Sequence, residues 1–162
     1  MKVLLTGSSK GIGYKIANDL KAEGHMLALH YNKNESTLEA LLKEDKTGSF
    51  SIQADLSQQE EVKKMVVNTI DKLSFPDCII NNAGIAESAN ISLDINNWSN
   101  MFDKTIDVNL KAPSLIFKEF LKYKREKNIN SRLRIINIAS RAAFRGEQQD
   151  YISYACSKGG II

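Results

Sequence analysis

The chain has 162 residues, 43% hydrophobic and 25% charged, the proportions of an ordinary soluble globular domain, so disorder is excluded as the default and one domain is expected. Nine Gly and two Pro are too few for a collagen-like or low-complexity chain, and no charge-free run approaches the ~20 apolar residues of a membrane-spanning helix. A net charge of +3, from 22 basic and 19 acidic side chains, reads mostly as solvated surface, and no nucleic-acid or membrane partner is expected. The opening Met1-Lys2-Val3-Leu4-Leu5-Thr6 lacks the basic, apolar and small-residue regions of a secretory signal, which points to a cytoplasmic protein. Cys78 and Cys156 cannot build a disulfide framework, and Cys78 lies in an apolar run where a buried thiol is expected. No metal site is expected.

Short apolar runs alternate with longer amphipathic ones, without internal repeat or linker. Lys2 to Thr6 predicts a first strand, followed by a glycine-rich turn. Ile12, Ile16, Ala17 and Leu20 then recur at helical spacing up to Gly24, a residue suited to a left-handed stop. Met26 to His30 predicts strand two and Phe50 to Gln53 strand three, with a charged helix over about Ser36 to Lys46 between them. Ser57 with Glu60 predicts a capping box, and Val62, Met65, Val66, Thr69, Ile70 and Leu73 form the apolar face of the helix behind it. Cys78 to Ile80 predicts strand four, and a long helical region from roughly Asn96 to Lys127 is interrupted by Pro113. Ile135 to Ile138 predicts strand five, and a last helix begins near Tyr151.

This alternation implies right-handed crossovers and a parallel sheet with helices on both faces, a doubly wound, Rossmann-like α/β domain. Ligands in such sheets bind at the carboxyl ends of the strands. The polar clusters fall there: Thr6-Gly7 after strand one, Asp55 after strand three, Asn81-Asn82 after strand four and Ser140 after strand five.

The segment Thr6-Gly7-Ser8-Ser9-Lys10-Gly11-Ile12-Gly13 bends from the first strand into the first helix, and its glycines let backbone N–H groups approach a ligand. Phosphate suits the positive end of that helix. Two other patterns share these residues. Gly7-Ser8-Ser9-Lys10-Gly11 fits the G-x-S-x-G nucleophile elbow, but His25 and His30 follow Ser9 too soon to complete that triad. The P-loop fails because no Gly-Lys-Ser/Thr stands at the required distance from Gly7.

Tyr154-Ala155-Cys156-Ser157-Lys158 places a phenol and an ammonium four residues apart, neighbours on one helical face. A phenol titrates near ~10, and bringing it to ~7 takes about 4 kcal/mol of phenolate stabilisation, to which an adjacent ammonium contributes with the right sign. A chance surface pair is the alternative. Tyr151 offers no such pair, since Ala155 stands four residues on.

Taken together, Thr6-Gly-x-x-x-Gly-x-Gly13, Asn81-Asn82-Ala83-Gly84, Ser140 and Tyr154-x-x-x-Lys158, in this order along the whole chain, resemble the short-chain dehydrogenases/reductases. The pattern is most similar to the 3-oxoacyl-[acyl-carrier-protein] reductase branch. The resemblance implies hydride transfer between a nicotinamide cofactor and a carbonyl/secondary-alcohol substrate. It gives Tyr154 the proton transfer, Ser140 the substrate oxygen, and Lys158 the nicotinamide ribose and the tyrosine's acidity. Asn109 matches the helix asparagine that supports a water-linked proton relay, with a polar kink residue as the alternative. Thr6, Gly7, Ser9, Lys10, Gly11, Ile12 and Gly13 would surround the cofactor phosphates. Asp55 and Leu56 would meet the adenine, and Asn82, Ala83 and Gly84 the adenine-ribose side, in large part structurally.

An NAD site places an acid at the end of strand two, where it accepts from the ribose 2′-OH. Here the stretch reads His30-Tyr31-Asn32-Lys33, with no acid until Glu35, and Lys10 and Lys33 suit a 2′-phosphate, so NADP(H) is expected over NAD(H). The basic residues from Lys118 to Arg134 read as helix C-terminal charge. Leu115, Ile116, Phe117, Phe120 and Leu121 cover more than one stripe, as in a helix shared with the partner of a homo-oligomer, a dimer or tetramer. Family members normally continue beyond the Tyr-Lys helix, so the chain is expected to be an N-terminal piece ending inside that helix, with strand five an unpaired edge and little activity alone. The rival to an enzyme is a non-catalytic dinucleotide-binding or scaffolding protein.

Overall fold

A computed structural model describes residues 1–162. Val3, Leu4 and Leu5 leave β1 (Lys2–Leu5) with no polar face, and a strand apolar on both sides belongs in the middle of a parallel sheet. There it lies, between β2 (Met26–Tyr31) and β4 (Cys78–Asn81), with β3 (Phe50–Gln53) and β5 (Arg134–Asn137) at the two edges. Every pairing is parallel, with Leu4 opposite Ala28 on one side and Ile79 on the other. Successive residues serve opposite layers. Leu4, Ala28, Ile52 and Ile79 pack under α3 (Gln59–Leu73) and α5 (Ala112–Glu126), while Val3, Leu5, Leu27, Leu29 and Ile80 pack under α1 (Gly11–Ala22) and α2 (Ser36–Leu42). Each fully buried Leu or Ile contributes about 1.5–3 kcal/mol relative to exposure, so this double layer fixes the register. Strand order reverses on the two sides of β1, and the cleft at its carboxyl end is the natural ligand crevice.

The α3 face is as the spacing predicts, with Val62, Met65, Val66, Thr69, Ile70 and Leu73 all buried. The capping box is not formed. Gln58 is the N-cap, the Ser57 hydroxyl donates to Asp55 Oδ1 at 2.8 Å instead, and Glu61 accepts the Asp55 N–H at 2.6 Å. Asp55, two residues back, accepts the Ser57 N–H that a capping box would give to Glu60, and the helix starts one residue later, with Gln58 as its N-cap. The helix expected to Lys46 stops at Leu42, because the polar run after it has nothing to bury and Asp45 turns the chain by accepting from the N–H groups of Thr47 and Ser49.

The long helical region divides into α4 (Ile95–Ile106), a widened π turn over Asp107–Lys111, and α5 with Pro113 in its first turn. Pro113 cannot donate to a carbonyl four residues back, and the widened turn absorbs that mismatch. A short α6 (Ala142–Arg145) and one 3₁₀ turn (Gln149–Tyr151) lead into α7 (Ile152–Gly160). No helix is long and apolar enough to cross a membrane. Near the end of α5, Lys124 Nζ donates to the carbonyls of Ile129 and Ser131 at 2.6 and 2.7 Å. β5 is the exposed edge, with Ile135 and Ile136 at 36% and 46% exposure.

Candidate active site

The turn after β1 is shaped by its glycines. Gly7 and Gly11 have φ of +66° and +55°, the left-handed region. A Cβ on Gly13 would lie 2.1 Å from the Gly7 carbonyl oxygen and 2.4 Å from Asn82 Nδ2, so only glycine lets α1 start so close to the turn. Lys10 is the N-cap, and no side chain caps the helix. The first N–H groups of α1 therefore present their partial positive charge outward, beside the exposed Lys10, Gly11 and Ile12.

Thr6 and Asn82 hold this turn from the β4 side. The buried Thr6 hydroxyl oxygen accepts the N–H groups of Asn82 and Ala83, both at 3.0 Å, and Asn82 Nδ2 donates to the carbonyls of Thr6 and Gly7, again at 3.0 Å. His30 holds it from the β2 side. The Gly7 N–H donates to His30 Nδ1 at 3.0 Å, Nε2 lies 3.0 Å from the Ala54 carbonyl oxygen, and the His30 carbonyl accepts both the N–H and the hydroxyl of Ser8 at 2.9 Å. Burial pushes the His30 imidazole below its ordinary pKa, against the Ala54 bond and the Asp55 charge, so it is neutral. The sequence places His30 at the end of an apolar strand run and assigns it no contact with the glycine-rich turn; a polar residue inside that run is the signal that points to such a partner.

At the same end of the sheet, burial raises the Asp55 pKa, but the N–H and hydroxyl of Ser57 and the charges of Lys104 and Lys33 outweigh it and hold the carboxyl below its ordinary range. Leu56 is buried in the core and leaves only its backbone for a ligand. Lys33 is exposed, and the half-buried Ser9 accepts the Thr37 hydroxyl on its carbonyl at 2.7 Å. Glu35 is occupied: it accepts from the Tyr31 hydroxyl at 2.8 Å and from the Ser51 hydroxyl.

The second half of the site hangs from α7. Lys158, 6% exposed, donates from Nζ to the Ile138 carbonyl at 2.8 Å and stands 5.9 Å from the centroid of the Tyr154 ring. Burial lowers its pKa. Asn109, in the widened turn, accepts the Ile85 N–H on Oδ1 at 2.8 Å and donates from Nδ2 to the Ile85 carbonyl at 2.8 Å and to Ser157 Oγ at 3.0 Å. The Ser157 hydroxyl donates to the Tyr154 carbonyl at 2.8 Å. Gly84 completes the group, since a Cβ there would lie 3.3 Å from Asn109 Oδ1 and 3.6 Å from Lys158 Nζ. Asn109, Gly84, Tyr154 and Lys158 are thus brought together.

Ser140 sits just after β5, where its Oγ accepts the Ala142 N–H at 3.2 Å; no hydrogen bond joins it to Tyr154. A further strap joins segments far apart in the sequence. The Asp150 carbonyl accepts the Ala89 N–H at 2.8 Å and its carboxylate accepts from Ile91 N and Asn90 Nδ2 at 3.3 Å, tying the segment after β4 to the entry of α7.

The family model described as short chain dehydrogenase matches residues 1–162. The 3-oxoacyl-[acyl-carrier-protein] reductase FabG of Staphylococcus epidermidis is 32% identical over 98% of this chain and 64% of the relative. The 3-oxoacyl-[acyl-carrier-protein] reductase of Synechocystis is 29% identical over 98% of this chain and 63% of the relative. Among solved structures, a blue fluorescent protein from a metagenomic library in complex with NADPH aligns with a TM-score of 0.82 at 27% identity, over 99% of this chain and 64% of that one. An apo SCOR enzyme from Clostridium thermocellum aligns with a TM-score of 0.81 at 31% identity, over 98% of this chain and 61% of that one. The chain spans about 64% of the length of the curated relatives it matches.

Proposed function

Because the chain belongs to the short chain dehydrogenase family, we propose that it serves an NADP(H)-dependent oxidoreductase acting on a carbonyl/secondary-alcohol pair, with a 3-oxoacyl thioester as the favoured substrate. The observation that carries this reading is the buried Lys158 ammonium, held by the Ile138 carbonyl next to the Tyr154 ring.

The chain's residues fit the cofactor. A left-handed Gly7, a Gly13 that admits no Cβ and the uncapped start of α1 suit a pyrophosphate. Lys10 and Lys33, both exposed, suit a 2′-phosphate, while the first acid beyond β2, Glu35, already binds Tyr31 and Ser51. NADP(H) is preferred over NAD(H) on that ground. When bound, the nicotinamide supplies or accepts the hydride.

The remaining steps belong to side chains. In reduction, Tyr154 gives its phenolic proton to the carbonyl oxygen as charge develops there; in oxidation the phenolate takes the proton of the alcohol. Lys158 lowers the cost of that phenolate, an effect strengthened by its burial. Ser140 holds the substrate oxygen. Asn109 fixes the turn beside Lys158 through Ile85 and Ser157, and Pro113 removes the N–H that would otherwise approach the Asn109 carbonyl, which suits it to hold a relay water. Phe117, 41% exposed on α5, goes with a homo-oligomer, and the reading is of a cytoplasmic enzyme.

The test is NADPH oxidation with a panel of ketones and 3-oxoacyl thioesters, in the wild type and in Tyr154→Phe. Turnover that disappears in the variant while NADPH binding persists supports the proposal; turnover retained by the variant contradicts it. A second reading, a dinucleotide-binding protein without turnover, is favoured by the exposure of β5, the strand that leads to Ile138 and Ser140. NADPH binding with no oxidation of any carbonyl in the panel would select it.

A further inference from the structure

We infer that His30 is a positioning residue of the dinucleotide site, whose neutral Nε2–H tautomer sets the glycine-rich turn in the form that receives phosphate. The inference rests on the cofactor reading above. One tautomer satisfies both ring nitrogens: the Gly7 N–H can only donate, so Nδ1 must be bare, and the Ala54 carbonyl can only accept, so Nε2 must carry the proton. The same residue's carbonyl takes the N–H and the hydroxyl of Ser8. Gly7 and Ser8 are therefore fixed from β2, while Thr6 and Asn82 fix the other side from β4. The imidazole also spans two turns at once, since Ala54 precedes Asp55 at the end of β3.

A doubly protonated ring cannot keep this arrangement. Nδ1–H would face the Gly7 N–H donor to donor, and the turn would have to move. From the β1 side the ring accepts the Gly7 N–H, while Ser8 bonds the His30 carbonyl; from the β3 side the Asp55 carboxylate is the charge acting on the ring, and it favours protonation. Burial, with the ring 2% exposed, opposes protonation more strongly. The folded imidazole thus titrates below the unfolded one. The stability that the strut contributes is fully present above the unfolded value and is lost as pH falls from there through the folded value.

The test uses the wild-type chain labelled with 15N-histidine, with His25→Gln to separate the two imidazoles. Long-range 1H–15N spectra should show His30 neutral with Nε2 protonated at pH 7, and the Gly7 amide should shift along the His30 titration on acidification. An Nδ1–H tautomer, or a Gly7 amide indifferent to that titration, overturns the inference. NADPH dissociation constants across pH give the functional arm: affinity should fall along the His30 titration, and His30→Phe should bind about tenfold more weakly at pH 7.5 with that acid limb gone. Should the Phe variant not fold, the coincidence of the wild-type acid limb with the His30 titration decides, and a limb at any other pH overturns the inference. NADPH bound equally tightly by the variant, with the same acid limb, overturns the role of His30 alone. No NADPH binding by the wild type at any pH, with the tautomer as assigned, overturns the cofactor reading and with it this role.

Discussion

The turn after β1 and the turn after β5 lie at the same end of one sheet, yet the strands beneath them differ in burial and the turns differ in what they present. The first is anchored from both neighbouring strands, by His30 on one side and by Thr6 and Asn82 on the other, over a strand buried on both faces. What it offers is backbone, and its conformation is dictated by glycine. The second follows an edge strand whose residues are all exposed, and it is held through side chains: Lys158 on the Ile138 carbonyl, Asn109 on Ser157, Asp150 on the segment after β4. What it offers is side-chain chemistry. In the proposed function, binding and proton transfer would rest on separately stabilised parts and should be separable by mutation.

The largest break in that comparison comes on the chemical side. Tyr154→Phe should lower turnover by about 10²–10⁴-fold in NADPH-oxidation assays while the NADPH dissociation constant stays within about twofold. A parallel loss of cofactor affinity would join the two parts. On the backbone side, Gly13→Ala should cost about 3 kcal/mol in chemical denaturation, because the added Cβ would sit 2.1 Å from the Gly7 carbonyl oxygen, a backbone atom that cannot swing aside. Gly11→Ala, with nothing within 4 Å of the added Cβ but a φ of +55°, should cost only about 1 kcal/mol. Thr6→Val, which strands the N–H groups of Asn82 and Ala83, should cost about 2 kcal/mol by the same measurement. Lys33→Ala should weaken NADPH about tenfold and leave NADH unchanged in fluorescence titrations. The smallest effect is Ser57→Ala, which removes a donor from the Asp55 carboxylate and should raise its pKa, read by NMR titration, without altering turnover.

What the residues disclosed in one dimension follows the same division. The apolar strand runs, the α3 face and the glycines were legible because burial pattern and left-handed φ are properties of a few neighbouring residues. Tyr154 and Lys158 were legible because helical spacing sets them on one face. The supports were not. His30 finds Gly7 and Ala54 only because the strand order puts β2 between β1 and β3, and Lys158 finds Ile138 only across the turn from β5. At Ser57 the capping-box spacing does not encode that Asp55, two residues away, accepts the N–H that Glu60 would otherwise take.

In the proposed function these two parts compose one NADP(H) site. Fluorescence titration of the wild-type chain with NADPH and with NADH tests it most directly. The account predicts saturable NADPH binding at least about tenfold tighter than NADH, with the difference removed by Lys33→Ala; equal or tighter binding of NADH, or no binding of either, would contradict it.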